Sequence, residues 1–106
     1  MRILFDQGTP IPIRRFLSAH VVRTAAEEGW STLRNSELLD AAESAGFEVF
    51  VTTDKNLRYQ QNLTHRSIAI VVLGKQQWPD VRSHIDVVVE ALNRASPATY
   101  TEVDIP

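Results

Sequence analysis

The run Ile68-Ala69-Ile70-Val71-Val72-Leu73 constrains this chain more than any other feature in it. It is too short for an ordinary helix and has no polar alternation. It therefore reads as a strand covered on both faces, which is where strands sit in a parallel sheet sandwiched by helices. Taken as Ser67 to Leu73 and closed by Gly74, it predicts an α/β domain, and the remaining sequence agrees. Strand and helix patterns alternate along the chain without repeats, low-complexity tracts or linker-like runs. The 106 residues fit one domain, 1–106, and 43% hydrophobic content fills one core. A domain of this size buries a modest share of its surface, so a homodimer interface or a protein partner would add stability.

Arg2 to Phe5 reads as the first strand. Thr9-Pro10 follows, with Thr9 as N-cap and Pro10 at the first helical position of a helix to about Ser18 that presents Ile13, Phe16 and Leu17 on one face. His20 to Ala26 reads as the second strand, with a loop containing Gly29 and Trp30 after it. Asn35 or Ser36 caps a helix carrying Leu38, Leu39, Ala42 and Ala45, and Gly46 ends it. Glu48 to Thr53 is the third strand and Leu57 to Leu63 a short polar helix. A last helix opens at Pro79, runs to about Arg94 and carries Val81, Ile85, Val88, Val89 and Leu92 as its apolar stripe. Tyr100 to Val103 is read as an edge strand. The expected architecture is a mainly parallel sheet of 4–5 strands with helices on both faces.

Several function classes fall away. There is no cysteine, so disulfides and thiolate metal sites are excluded. A net charge of -2 provides no bulk positive field for nucleic acid, so any such binding needs a local basic patch. Asp6 arrives after only three apolar residues, which leaves no signal-peptide core, and no run approaches the ~20 apolar residues of a membrane span. A cytoplasmic protein with no membrane partner is the expectation. P-loop, dinucleotide-turn and nucleophile-elbow patterns are absent, and His20, His65 and His84 have no ligand-like spacing.

What remains is acidic. Parallel α/β sheets carry their functional groups beyond the carboxyl ends of the strands, above all where strand order reverses. Asp6 directly follows strand one and Asp54 directly follows strand three, so in a 2-1-3-4 order they face each other across that point. Two close carboxylates repel unless a proton or cation lies between them, and Mg²⁺ or Mn²⁺ takes oxygen ligands. Each acid also has a structural use. Asp54 between strand and helix is a standard N-cap position, Asp6 fits an Asx-type turn at Gly8, and Glu37 suits the dipole of a helix's first turn. Asp40 and Glu43 fall on that helix's exposed face. Arg14, Arg15, Lys55 and Arg58, with Arg34 before the second helix, are the basic residues near the proposed mouth. Tyr59 and Trp30 are candidates for stacking on bases, Trp30 equally for a loop anchor.

Taken together, the strand ending in Asp6, the Thr9-Pro10 helix start, Asn35-Ser36-Glu37-Leu38-Leu39 and Val51-Thr52-Thr53-Asp54-Lys55-Asn56 resemble the short PIN-like toxin nucleases of bacteria and archaea. The subgroup in which Tyr59-Gln60-Gln61-Asn62-Leu63 follows is the most similar. The resemblance covers Met1 to about Leu73, and the part from about residue 79 agrees more loosely. It implies a Mg²⁺- or Mn²⁺-dependent ribonuclease, often silenced by a cognate antitoxin. Asp6, Glu37 and Asp54 would be metal-holding catalytic acids, Gln7, Asn35 and Asn56 would stand around the metal, and Lys55, Arg58 and Arg14 would contact phosphate or RNA. Gln7-Gly8, Asn35 and Asn56 stand where relatives often carry acids, which motivates an alternative: a non-catalytic PIN-like protein that binds RNA or an antitoxin. A phosphoacceptor receiver domain also uses acids after strands one and three, but it needs paired acids after the first, and Asp6 is followed by Gln7.

Overall fold

The computed structural model describes residues 1–57, 63 and 65–106, and of Asn35 the backbone alone. The expected helix from Leu57 to Leu63 therefore falls largely outside the described residues, together with Arg58 and Tyr59. Strands β1 (Arg2–Phe5), β2 (Val21–Thr24), β3 (Val49–Thr52), β4 (Ala69–Leu73) and β5 (Tyr100–Val103) form one sheet in the order β2-β1-β3-β4-β5. Every neighbouring pair is parallel. The helical elements are a 3-10 helix (Ile11–Phe16), α1 (Asn35–Ser44), α2 (Trp78–Arg82) and α3 (Ile85–Asn93). The protein is an α/β domain, and among the described residues no helix is long and apolar enough to cross a membrane.

Strand pleating divides the apolar side chains into two cores, because successive residues point to opposite faces. Ile3, Phe5, Val49, Val51, Ala69, Val71 and Leu73 face one way and are covered by Ile13 and Leu17 of the 3-10 segment, Val81 of α2, and Val88 and Leu92 of α3. Leu4, Phe50, Ile70 and Val72 face the other way, under Leu38, Leu39 and Ala42 of α1 together with Leu57. All five β4 side chains are buried, as the apolar run requires. Trp30 packs edge-on against Phe47 at 6.0 Å between ring centres, so it anchors its loop to the α1 core.

The helices give the connections their hands. In a parallel sheet, two crossovers have the same hand when they run in opposite directions on opposite faces. The β1–β2 connection runs one way on the first face. The β2–β3 and β3–β4 connections run the other way with their apolar residues on the second face. These three share a hand. The β4–β5 connection runs like its predecessors but lies on the first face, so its hand is opposite.

Two expected helices differ from the sequence pattern. Thr9 does not cap the first: its hydroxyl donates to the Val51 carbonyl at 3.1 Å, Pro10 takes the cap position, and the segment winds as a short 3-10 helix that leaves Phe16 exposed. The last helix is broken. The Ser83 hydroxyl donates to the Pro79 carbonyl at 3.0 Å, and His84 leaves helical geometry to become the N-cap residue of α3. The apolar stripe continues across the break because both pieces lie on the same face.

Candidate functional site

The alternation that builds the cores also aims the acids. Leu4 and Phe50 are partners across β1 and β3 and point toward α1. Two residues on, Asp6 and Thr52 continue on that side, and Asp54 lies two further. The Asp6 N–H donates to the Val51 carbonyl at 2.9 Å, which carries sheet bonding one residue past β1. Asp6 and Asp54 thus line one open hollow of about 390 Å³ at the strand-order reversal, with Phe50, Leu38 and Leu57 as apolar wall and Gln7 and Arg34 at its mouth.

Thr52, 1% exposed, joins the two acids. Its hydroxyl donates to Asp6 Oδ2 at 2.8 Å, and its oxygen accepts the Asp54 N–H at 3.1 Å. The Gln7 N–H donates to Asp6 Oδ1 at 2.9 Å, and the Asn56 N–H donates to Asp54 Oδ1 at 2.9 Å. Both acids therefore also serve their local turns. Burial pushes the Asp6 carboxyl above the usual carboxylate range, and the neighbouring Asp54 charge adds in the same direction. The bonds from Thr52 and from the Gln7 N–H pull the other way. Among the described residues no lysine or arginine forms an ion pair with either acid. Asp54 Oδ2 accepts no bond from a described residue.

The other expected site residues are more scattered. Glu37 is exposed in the first turn of α1 and does not line the hollow. Among the described residues no three of His, Asp and Glu gather as a metal-holding group. Arg14 is engaged by Glu27, which it contacts at 2.7 and 3.2 Å through its two terminal nitrogens. Lys55 is exposed and lines a neighbouring hollow instead. Asn56 is exposed and contributes its backbone N–H. The side chain of Asn35 and all of Arg58 lie outside the described residues. Thr52 escaped the sequence reading, although parity counting from Phe50 places it on the acids' side. No family model matches the chain, and no curated protein or solved structure matches it.

Proposed function

We propose that the protein is a PIN-like, Mg²⁺- or Mn²⁺-dependent ribonuclease of toxin type, with Asp6 and Asp54 holding the metal. One observation carries this: two carboxylates line a single hollow, and among the described residues no basic side chain is bonded to either. A buried acid whose ionisation is already resisted, beside a second acid, is stabilised by a cation placed between them. The donor set fits a hard ion, which accepts one or two carboxylates and keeps several waters in an open site. When bound, the metal would polarise a phosphodiester and lower the pKa of a coordinated water. The chain's own part is positional. Thr52 and the Gln7 N–H fix both Asp6 oxygens, the Asn56 N–H fixes one oxygen of Asp54 while the other accepts no bond from a described residue, and Arg34 supplies a cation for phosphate at the same mouth.

Purified protein, Mn²⁺ and RNA, compared with Asp6→Asn, test the proposal. RNA cleavage is expected from the native chain alone, and equal degradation by both proteins would sink it. A second reading, a non-catalytic PIN-like binder of RNA or an antitoxin, is favoured by Glu37 standing outside the hollow, which leaves two acids rather than three. Calorimetric titration with Mn²⁺ separates the two: binding that is lost in Asp54→Ala supports the enzyme, and absence of binding supports the binder. An antitoxin partner belongs to the same proposal, and a small overlapping reading frame next to the gene is its expected trace.

A further inference from the structure

On the face opposite α1, an aromatic side chain projects beside a hollow. Among the described residues four large apolar side chains are exposed, and Phe16, 46% exposed, is the aromatic one. Its ring is held in place, packed tilted on Trp78 at 6.3 Å between centres, and Trp78 rests on the core. Between the 3-10 helix and α3 lies an open hollow of about 440 Å³, lined by Phe16, Asp86, Val89, Glu90, Asn93 and Arg94. Val89, partly buried against the core, joins Phe16 as its apolar lining.

A fixed projection next to a hollow is what a two-fold contact requires, because one patch must act as both insert and receiver. The charges of the patch also suit a copy of itself. Glu90 and Arg94 already pair with each other at 2.9 Å. That leaves Asp86 on the lining and Arg15 directly before Phe16, both exposed and, among the described residues, without an ion pair. One acid and one base remain, so two copies meet without net repulsion. A two-fold axis that brings one copy's Phe16 to the other's hollow brings Arg15 with it, toward the acidic side of that hollow.

We propose that the chain pairs with a second copy of itself through this patch. The two Phe16 rings meet over the hollows, and Arg15 of each copy pairs with the partner's Asp86. A small domain buries a modest share of its surface alone, and this contact covers its exposed aromatic ring. The acidic hollow lies on the α1 side, so pairing leaves it open in both copies.

Sedimentation velocity across a dilution series tests this, with circular dichroism confirming that each variant is folded. The native chain is expected to be dimeric at about 100 µM, well above a micromolar dissociation constant. Phe16→Ser removes the ring from both sides of the axis. A loss of about tenfold per contact, counted twice, makes its dimer roughly a hundredfold weaker. Arg15→Glu and Asp86→Arg each set like charges opposite one another at two places, and each should weaken the dimer by about tenfold or more. Mixed in equal amounts, these two variants bring opposite charges together in both contacts and should re-form the dimer, which damage to either fold would not allow. A monomeric native chain, native-like dimerisation of Phe16→Ser, or mixed variants that stay monomeric would each overturn the proposal.

Discussion

Replacing Thr52 by valine keeps the side chain's size and removes its hydroxyl. The loss falls on two bonds at once, the donation to Asp6 Oδ2 at 2.8 Å and the acceptance of the Asp54 N–H at 3.1 Å. With Asp6 ionised the first bond is charge-assisted, worth about 1.5–3 kcal/mol, and the Asp54 N–H also loses an acceptor. A destabilisation of about 2–3 kcal/mol is expected at pH 7. With Asp6 protonated the lost bond is neutral, and the effect falls to about 1 kcal/mol. The sign of the pH dependence follows from linkage. Asp6 has its carboxyl raised in the folded state, so its contribution is greatest below the unfolded value of 3.8 and is lost as pH rises through the folded one. Thr52 opposes that rise, so without it the loss on ionisation grows. Urea unfolding of both proteins at pH 7 and near pH 4 reads the difference directly. In heat, each kcal/mol corresponds to roughly 4–8 °C for a domain of this size. Equal destabilisation at the two pH values would show that Thr52 acts by packing alone and has no part in holding the carboxylate.

Three further outcomes are expected. Asp6→Asn removes a buried charge from beside Asp54, so without metal at pH 7 it should melt above the native chain; an unchanged or lower midpoint contradicts the charge argument. Gly74→Ala places a Cβ at 3.0 Å from the Val103 carbonyl and 3.1 Å from the Ile105 nitrogen, so the backbone at the end of β5 must give by a few tenths of an ångström; a cost of about 1–3 kcal/mol with faster amide exchange in β5 is expected, and an unchanged midpoint would show that this segment yields freely. Glu27, whose carboxyl is lowered to about 2 chiefly by its bond from Arg14 and then by the Thr24 N–H, contributes stability present above 4.5 and lost as pH falls toward 2. Glu27→Gln should flatten the melting profile across that window.

The parts of the fold legible in the sequence were those decided by burial. The Ile68–Leu73 run could satisfy itself only in the middle of a covered sheet, and Leu38, Leu39 and Ala42 gave α1 one apolar face to hide, although Ala45, expected on the same stripe, is exposed just past the helix end. The neighbourhood of Asp6 and Asp54 followed from strand order, since Asp6 lies one residue past the end of β1 and Asp54 two past the end of its neighbour β3. What was not legible depended on where a short polar side chain finds its partner. A threonine before a proline is a reasonable cap, yet Thr9 bonds a carbonyl 42 residues away, which nothing local to it specifies. Ser83 and His84 interrupt a stripe whose hydrophobic period shows no interruption, because the break is made by the Ser83 hydroxyl bonding the Pro79 carbonyl and by the non-helical backbone of His84 rather than by a change of face. Glu37 occupies a helix start as its dipole prefers, and the turn of α1 leaves it in solvent, outside the hollow.

The reversed hand of the β4–β5 connection bears on how the edge strand is held. β5 is held by parallel pairing with β4 along its whole length and by α3 packing on β4 and β5, while α2 and α3 are tied back toward the 3-10 segment and β2 through Phe16 on Trp78 and Asn93 on His20. This edge strand is thus secured in part from across the sheet, by contacts made far from its own hydrogen-bonding partner.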